Sequence, residues 1–239
     1  MTEIIEDATT ELTDPDSTVP APSVRHTLPR RPGRLKGEVT LTLHTLQAGE
    51  LLLGRPATDD KPAIPSINNF GNHIDQILTA ADSGDIYAAA ELVRIDEQLE
   101  AVERLLDIET RKLRTSMAAN SRFSITAGLS TEPVPHRLRL TSPYAHWVAR
   151  LIGLYDELVA LALSMHRAGY IHDKERDMIV AHARKAIRSC FYAVRKFRVT
   201  GTTRDDFEKG TARASEAAAK FGDLPAEILE GKRKPAYLH

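Results

Sequence analysis

The stretch GEVTLTLHTLQAGELLLG, Gly37 to Gly54, reads as a strand that becomes a helix with no turn residues between them. Val39, Leu41 and Leu43 alternate with Glu38, Thr40, Thr42 and His44, the two-residue period of a half-buried strand. LQAGELLL then makes about two helical turns and stops at Gly54. A strand needs a partner for its backbone groups. The Pro- and Arg-rich HTLPRRPGRLK before it and the helix after it leave no room for a hairpin. The partner therefore comes from far along the chain or from another chain.

Composition bounds the answer. A chain of 239 residues, 42% hydrophobic and 27% charged, can bury a sizeable core. The single Cys190, within SCFYAV, excludes an internal disulfide framework and suits a core thiol in a reducing compartment. No run has the apolar length of a membrane span, and MTEIIEDATTEL is acidic where a signal peptide is basic and then apolar, so the expected location is the cytoplasm. The net charge of −1 hides a segregation: Glu3, Glu6, Asp7, Glu11, Asp14 and Asp16 precede Arg25, Arg30, Arg31, Arg34 and Lys36. Residues 1–24 read as an acidic tail and 25–36 as a basic arm, too polar and Pro-rich to fold alone.

The rest is mostly helical. Ser66 opens a helix with Ile67, Phe70, Ile74, Ile77 and Leu78 on one side, ended by Gly84. From Asp85 to about Thr115, Leu92, Ile95, Leu99, Val102, Leu106 and Leu113 step by three and four along a long helix. Residues 120–141 lose that period; Leu138 and Leu140 alternate with Arg137 and Arg139 in HRLRLT, so one or two short strands are expected there. SPYAHWVARLIGLYDELVALALSMHRAG, with Ser142 as N-cap and Pro143 at the first helical position, is apolar on most sides and should be the central buried helix. Helices over Asp173–Phe197 and Thr203–Phe221, the second started by Thr202 with Asp205, and a short LPAEILE complete the set.

Little of this points to catalysis. His166, His172 and His182 lack a ligand spacing on one helix face, and there is no H-E-x-x-H, C-x-x-C, Walker, dinucleotide or G-x-S-x-G motif. No enzyme, metal or cofactor is expected. The helix ERDMIVAHARKAIRSCFYAVRKFR instead sets Arg184, Arg188, Arg195 and Arg198 on one face, opposite Ile179, Ala183, Ile187, Cys190, Val194 and Phe197. Such a stripe can follow a phosphate backbone. It can also be a solvated face, or pair with the acidic helix around Glu97–Glu109.

Six blocks, EVTLTLHTLQAGELLLGR, KPAIPSINNFGNHIDQI, ELVRIDEQLE, SPYAHWVARLIGLYDELVALAL, FRVTGTTRDDFEKGTARA and GDLPAEILEG, resemble in this order those of the AcaB-like family. These are transcriptional regulators of transfer functions carried by integrating conjugative elements and conjugative plasmids, related to ribbon-helix-helix proteins. The similarity runs from about Lys36 to Gly231, leaving residues 1–35 outside. It implies a mainly α fold: a ribbon-helix-helix-like unit of one strand and two helices over 37–83, a larger helical domain with one or two short strands over 84–231, and a tail over 232–239. It also implies a homodimer on double-stranded DNA, with one strand from each subunit pairing in the major groove. Val39, Leu41 and Leu43 would form the dimer core, and Lys36, Glu38, Thr40, Thr42 and His44 would face base edges. Arg30, Arg31, Arg34 and the helix start at Ser66, Asn68 and Asn69 would hold backbone phosphates. Arg137, Arg139 and the arginine stripe are secondary basic surfaces. The alternative is an accessory or assembly protein that does not bind DNA, its strand paired within the chain, for instance with HRLRLT. No membrane partner is expected.

Overall fold

The computed structural model describes residues 39–60, 62–119 and 126–238. The acidic tail, the basic arm and Arg30, Arg31, Arg34, Lys36 and Glu38 lie outside them. The order is β1 (Val39–Leu43), α1 (Leu46–Leu53), α2 (Ile67–Asp82), α3 (Ile86–Ala118), β2 (Val134–Leu138), α4 (Pro143–Arg167), α5 (Asp173–Lys196), α6 (Arg204–Glu208), α7 (Ala212–Phe221) and α8 (Ala226–Leu229). The fold is mainly α, with a single two-stranded antiparallel sheet among the described residues.

The partner of the opening strand is in its own chain. β1 pairs with β2, aligning Val39 with Leu138, Thr40 with Arg137, Leu41 with His136, Thr42 with Pro135 and Leu43 with Val134. Val39, Leu41 and Leu43, expected to form a dimer core, face the core of their own chain. Leu43 is buried, and Val39 and Leu41 pack half-buried against the chain's own core. The physical reason is α4. The strand packs directly on this helix, with Leu41 against the backbone of Gly153.

α4 is the central helix, as its composition predicts. Ser142 Oγ accepts from Ala145 N, Pro143 opens the first turn, and Trp147, Val148, Leu151, Ile152, Tyr155, Leu158, Val159 and Met165 are buried. α2 begins with a reciprocal cap: Asn69 N donates to Ser66 Oγ at 3.2 Å and Ser66 N donates to Asn69 Oδ1 at 3.1 Å. The Pro-rich loop between α1 and α2 is pinned at its base by backbone bonds between Arg55 and Ile64. Gly54 turns into it at φ +71, where a Cβ would lie 2.5 Å from Ile64 O, so only glycine fits.

The helix expected over Thr203–Phe221 is broken in two. The capping box is Thr203 with Asp206, one residue later than expected, and Thr202 is buried with its carbonyl accepting from Ile86 N. Gly210, at φ +60, ends the first turn and Thr211 caps α7. Asp206 accepts from Thr203 N, Thr203 Oγ1 and Thr211 Oγ1, which hold its carboxyl below the usual range.

Two buried aspartates tie distant segments together. Asp85 N-caps α3, accepting from Tyr87 N and Ala88 N, and also accepts from Thr200 N, Thr200 Oγ1 and Gly201 N. It thereby docks the VTGTTR loop, within one of the blocks that carry the resemblance, onto the start of α3. Asp96 accepts from Ala236 N at 2.8 Å, while Tyr237 stacks edge-on against Tyr144 and Trp147.

Candidate nucleic-acid interface

The strand-to-helix switch at residues 43–46 depends on one carboxylate. Asp156, buried on α4, accepts from His44 N and Thr45 N at 2.8 Å and from Thr45 Oγ1 at 2.6 Å. Thr45 Oγ1 in turn accepts from Ala48 N to cap α1. The chain therefore bends without turn residues because α4 supplies the acceptors a turn would provide. Sequence reasoning missed Asp156; its one signal was the acid pair Asp156–Glu157 in a largely apolar helix.

With the inner face of the sheet on α4, the outer face is fixed by alternation. Thr40, Thr42 and Arg137 are exposed, and Thr40 lies directly opposite Arg137. Arg139, just past β2, is exposed as well. Two residues expected to read bases and one expected secondary cation thus meet on one small, solvent-facing sheet. His44 does not join them. It is half-buried, its Nδ1 is buried without a hydrogen-bond partner, and it lines a cavity of about 400 Å³ with Ser130, Ser164 and Arg167.

Pro135 marks β2 as an edge strand, because proline cannot donate to a further ladder. The other edge of β1 has no strand beside it among the described residues. Next to that strand, α1 exposes Leu46 at 77% and Leu53 at 65%.

At the start of α2, the side chains of Ser66 and Asn69 are engaged with each other. Asn68 is the exposed member of the expected phosphate-binding trio without a side-chain bond. On α5, the expected burial of Ala183, Ile187, Cys190, Val194 and Phe197 is found, with Ile179 half-buried. Burial pushes the Cys190 thiol up to about 12, so the thiolate is scarce near neutrality. Arg184 and Arg188 are half-buried and Arg195 is exposed. Arg198 leaves the stripe: it lies beyond the helix, and its Nη1 donates to the carbonyls of Arg195 and Phe197, closing the C-terminus of α5. Lys185 and Lys196, which the arginine pattern passed over, are exposed on the same side.

The acids of α3 do not neutralise that stripe. Glu91 pairs with Arg94, Glu97 with Arg233, Glu100 with Arg104, Glu103 with Arg150, and Glu109 with Lys112. Of the three histidines weighed as ligands, His166 contacts Asp173 and Arg176 and His172 is the residue before α5. Among the described residues no three His, Cys, Asp or Glu side chains gather as a metal would require, and no helix is long and apolar enough to cross a membrane.

The chain shares this fold with the crystal structure of selenomethionine-containing AcaB from uropathogenic E. coli. The TM-score is 0.55 at 19% sequence identity, covering 84% of this chain and all of that one. No curated protein sequence matches. The model of the family described as Transcriptional regulator AcaB matches residues 31–239, which takes in the sheet, Asp156 and the whole helical core, and the chain belongs to that family.

Proposed function

We propose that this transcriptional regulator is a sequence-specific DNA-binding protein that controls conjugative transfer functions as a homodimer. The observation that carries the reading is the exposed sheet face on which Thr40, Thr42 and Arg137 meet. A two-stranded ribbon fits the major groove, threonine can bond either a donor or an acceptor there, and arginine forks onto guanine. Dimerisation uses the open edge of β1 against its copy, in the strand order β2, β1, β1, β2, with Leu46 and Leu53 covered as the two copies meet. The ribbon is then intersubunit at its centre and intramolecular at its flanks. Arg30, Arg31 and Arg34 of the basic arm add backbone contacts, with Lys36 and Glu38 at the entry to β1.

The test is binding of the full chain to promoter fragments of its host element and to random duplex, with sedimentation on the same samples. Arg137→Ala or Thr40→Ala should narrow the preference for promoter DNA by about 1–3 kcal/mol per disturbed base contact and leave the dimer intact. Leu46→Glu with Leu53→Glu should dissociate the dimer. Equal binding to promoter and random DNA by the wild type would overturn the reading and leave an accessory or assembly role, which the pairing of β1 within its own chain also suits.

A further inference from the structure

Between Ala183 and Arg198 the chain carries Arg184, Lys185, Arg188, Arg195, Lys196 and Arg198 and no acidic residue. With Arg198 engaged at the helix end, the other five lie within about 120° of the circumference of α5. None forms an ion pair with a carboxylate among the described residues. The first two arginines are also half-buried. Arg184 Nε donates to Tyr155 Oη at 3.3 Å. Arg188 is half-buried and its Nε is buried without an acceptor, so its hydrogen bonding is left to the outer guanidinium nitrogens. Half-buried side chains have less rotamer freedom to lose when a ligand arrives. Tyr192, on the same face, is tied by its hydroxyl to Ala63 O at 3.1 Å.

We propose that this face of α5 is a track for the phosphodiester backbone of DNA, separate from the ribbon and indifferent to sequence. It deepens the DNA-binding reading given above. From Arg184 to Lys196 the helix advances about 18 Å. One DNA strand sets a phosphate about every 3.4 Å along its axis but winds round the duplex, so the few phosphates on the near side can meet the five cations. Three of the five are arginines, whose planar fork suits phosphate oxygens. An acidic protein fits less well, since between Arg184 and Lys196 the face carries only Ser189 and the tethered Tyr192 besides its cations, and so little apolar surface for a partner to bury.

The experiment measures affinity of the full chain for random-sequence and promoter duplexes across salt from about 50 to 200 mM. Two variants are compared: Arg188→Gln with Arg195→Gln, and Arg195→Gln with Lys196→Gln, the second confined to exposed positions at the end of the helix. Each should flatten the slope of log affinity against log salt by about 1.8 and weaken both duplexes alike. An unchanged slope in the exposed-pair variant, with wild-type helix content, overturns the track. So does displacement of random duplex by inorganic phosphate at matched ionic strength, which would mark a discrete phosphate pocket. So does retained DNA affinity beside lost binding to an acidic polypeptide such as polyglutamate. The ribbon fails separately: Thr40→Ala and Arg137→Ala would then leave the promoter-to-random ratio unmoved while the α5 variants still change the slope.

Discussion

α3 and α5 are the two long helices with strongly charged outer surfaces, and they use charge in opposite ways. On α3 most carboxylates are engaged: Asp85 caps the helix and holds the 200–201 loop, Asp96 holds Ala236, Glu97 pairs with Arg233, and Glu103 takes Trp147 Nε1 at 2.8 Å. On α5 the cations between Arg184 and Lys196 have no carboxylate partners among the described residues. A charge bound within its own fold acts on stability, in either direction, while one without such a bond is available to a ligand. Substitutions on α3 should therefore register in unfolding and those on α5 in binding.

The largest effect on stability is expected at the start of α3. Asp85→Ala removes five acceptor contacts and leaves the buried N–H groups of Tyr87 and Ala88 and the part-buried ones of Thr200 and Gly201 unpaired, a cost of about 3–5 kcal/mol by urea unfolding. Any Asp85→Ala protein that remains folded should keep the wild-type salt slope on DNA, and a changed slope would break the division between the helices. Glu103→Ala comes next. It frees the indole N–H of Trp147 and the weak 3.8 Å pair to Arg150, for about 1–2 kcal/mol, again without a change in DNA binding.

Asp96 sharpens the comparison through pH. Burial, the main cause, raises its carboxyl above the ordinary range, only partly offset by the N–H of Ala236. The native state thus holds this proton more tightly than the unfolded chain does. The group's stabilising contribution is fully present at low pH and is lost as pH rises through the native value. Asp96→Asn keeps an acceptor for Ala236 without a charge, so its melting temperature should match wild type in acid and exceed it near neutrality. A fixed difference at every pH would exclude titration of Asp96 as the cause. The smallest change in stability is expected on α5, where Arg195→Gln with Lys196→Gln should stay within about 0.5 kcal/mol of wild type.

Much of the scaffold was legible because the signals were local. Ser66, Ser142 with Pro143, and the three-and-four spacing from Leu92 to Leu113 each declare a helix within a few residues of themselves. The strand at Val39–Leu43 was equally plain, but its partner was not. Alternation says that a strand has a buried face, not what lies beyond its edge, and β2 is more than 90 residues away. Asp156 and Asp85 were hidden for a related reason, since a carboxylate's bonds to distant backbone leave no mark near it in sequence. The break between α6 and α7 was readable: Gly210 followed by Thr211 is a stop and a new cap, overridden in the reading by the helical residues on both sides. On α5, angular position was right for Arg184, Arg188 and Arg195, whereas Arg198 fell one residue past the cap.

The long reach of β1 sets an order on the birth of the protein. The Thr40–Arg137 face cannot exist on a nascent chain until β2 has left the ribosome, and the junction at His44 and Thr45 stays unfastened until Asp156 follows. Synthesis adds about 5–20 residues per second, so the N-terminal strand waits several seconds for both. Pairings that span so much sequence also close late in refolding, after local helices have formed. A truncated product ending before β2 would carry the acidic tail, the basic arm and an unpaired, half-apolar strand, with no means of presenting Thr40 and Thr42 beside Arg137. The sheet is thus assembled only on a chain that already contains most of its core.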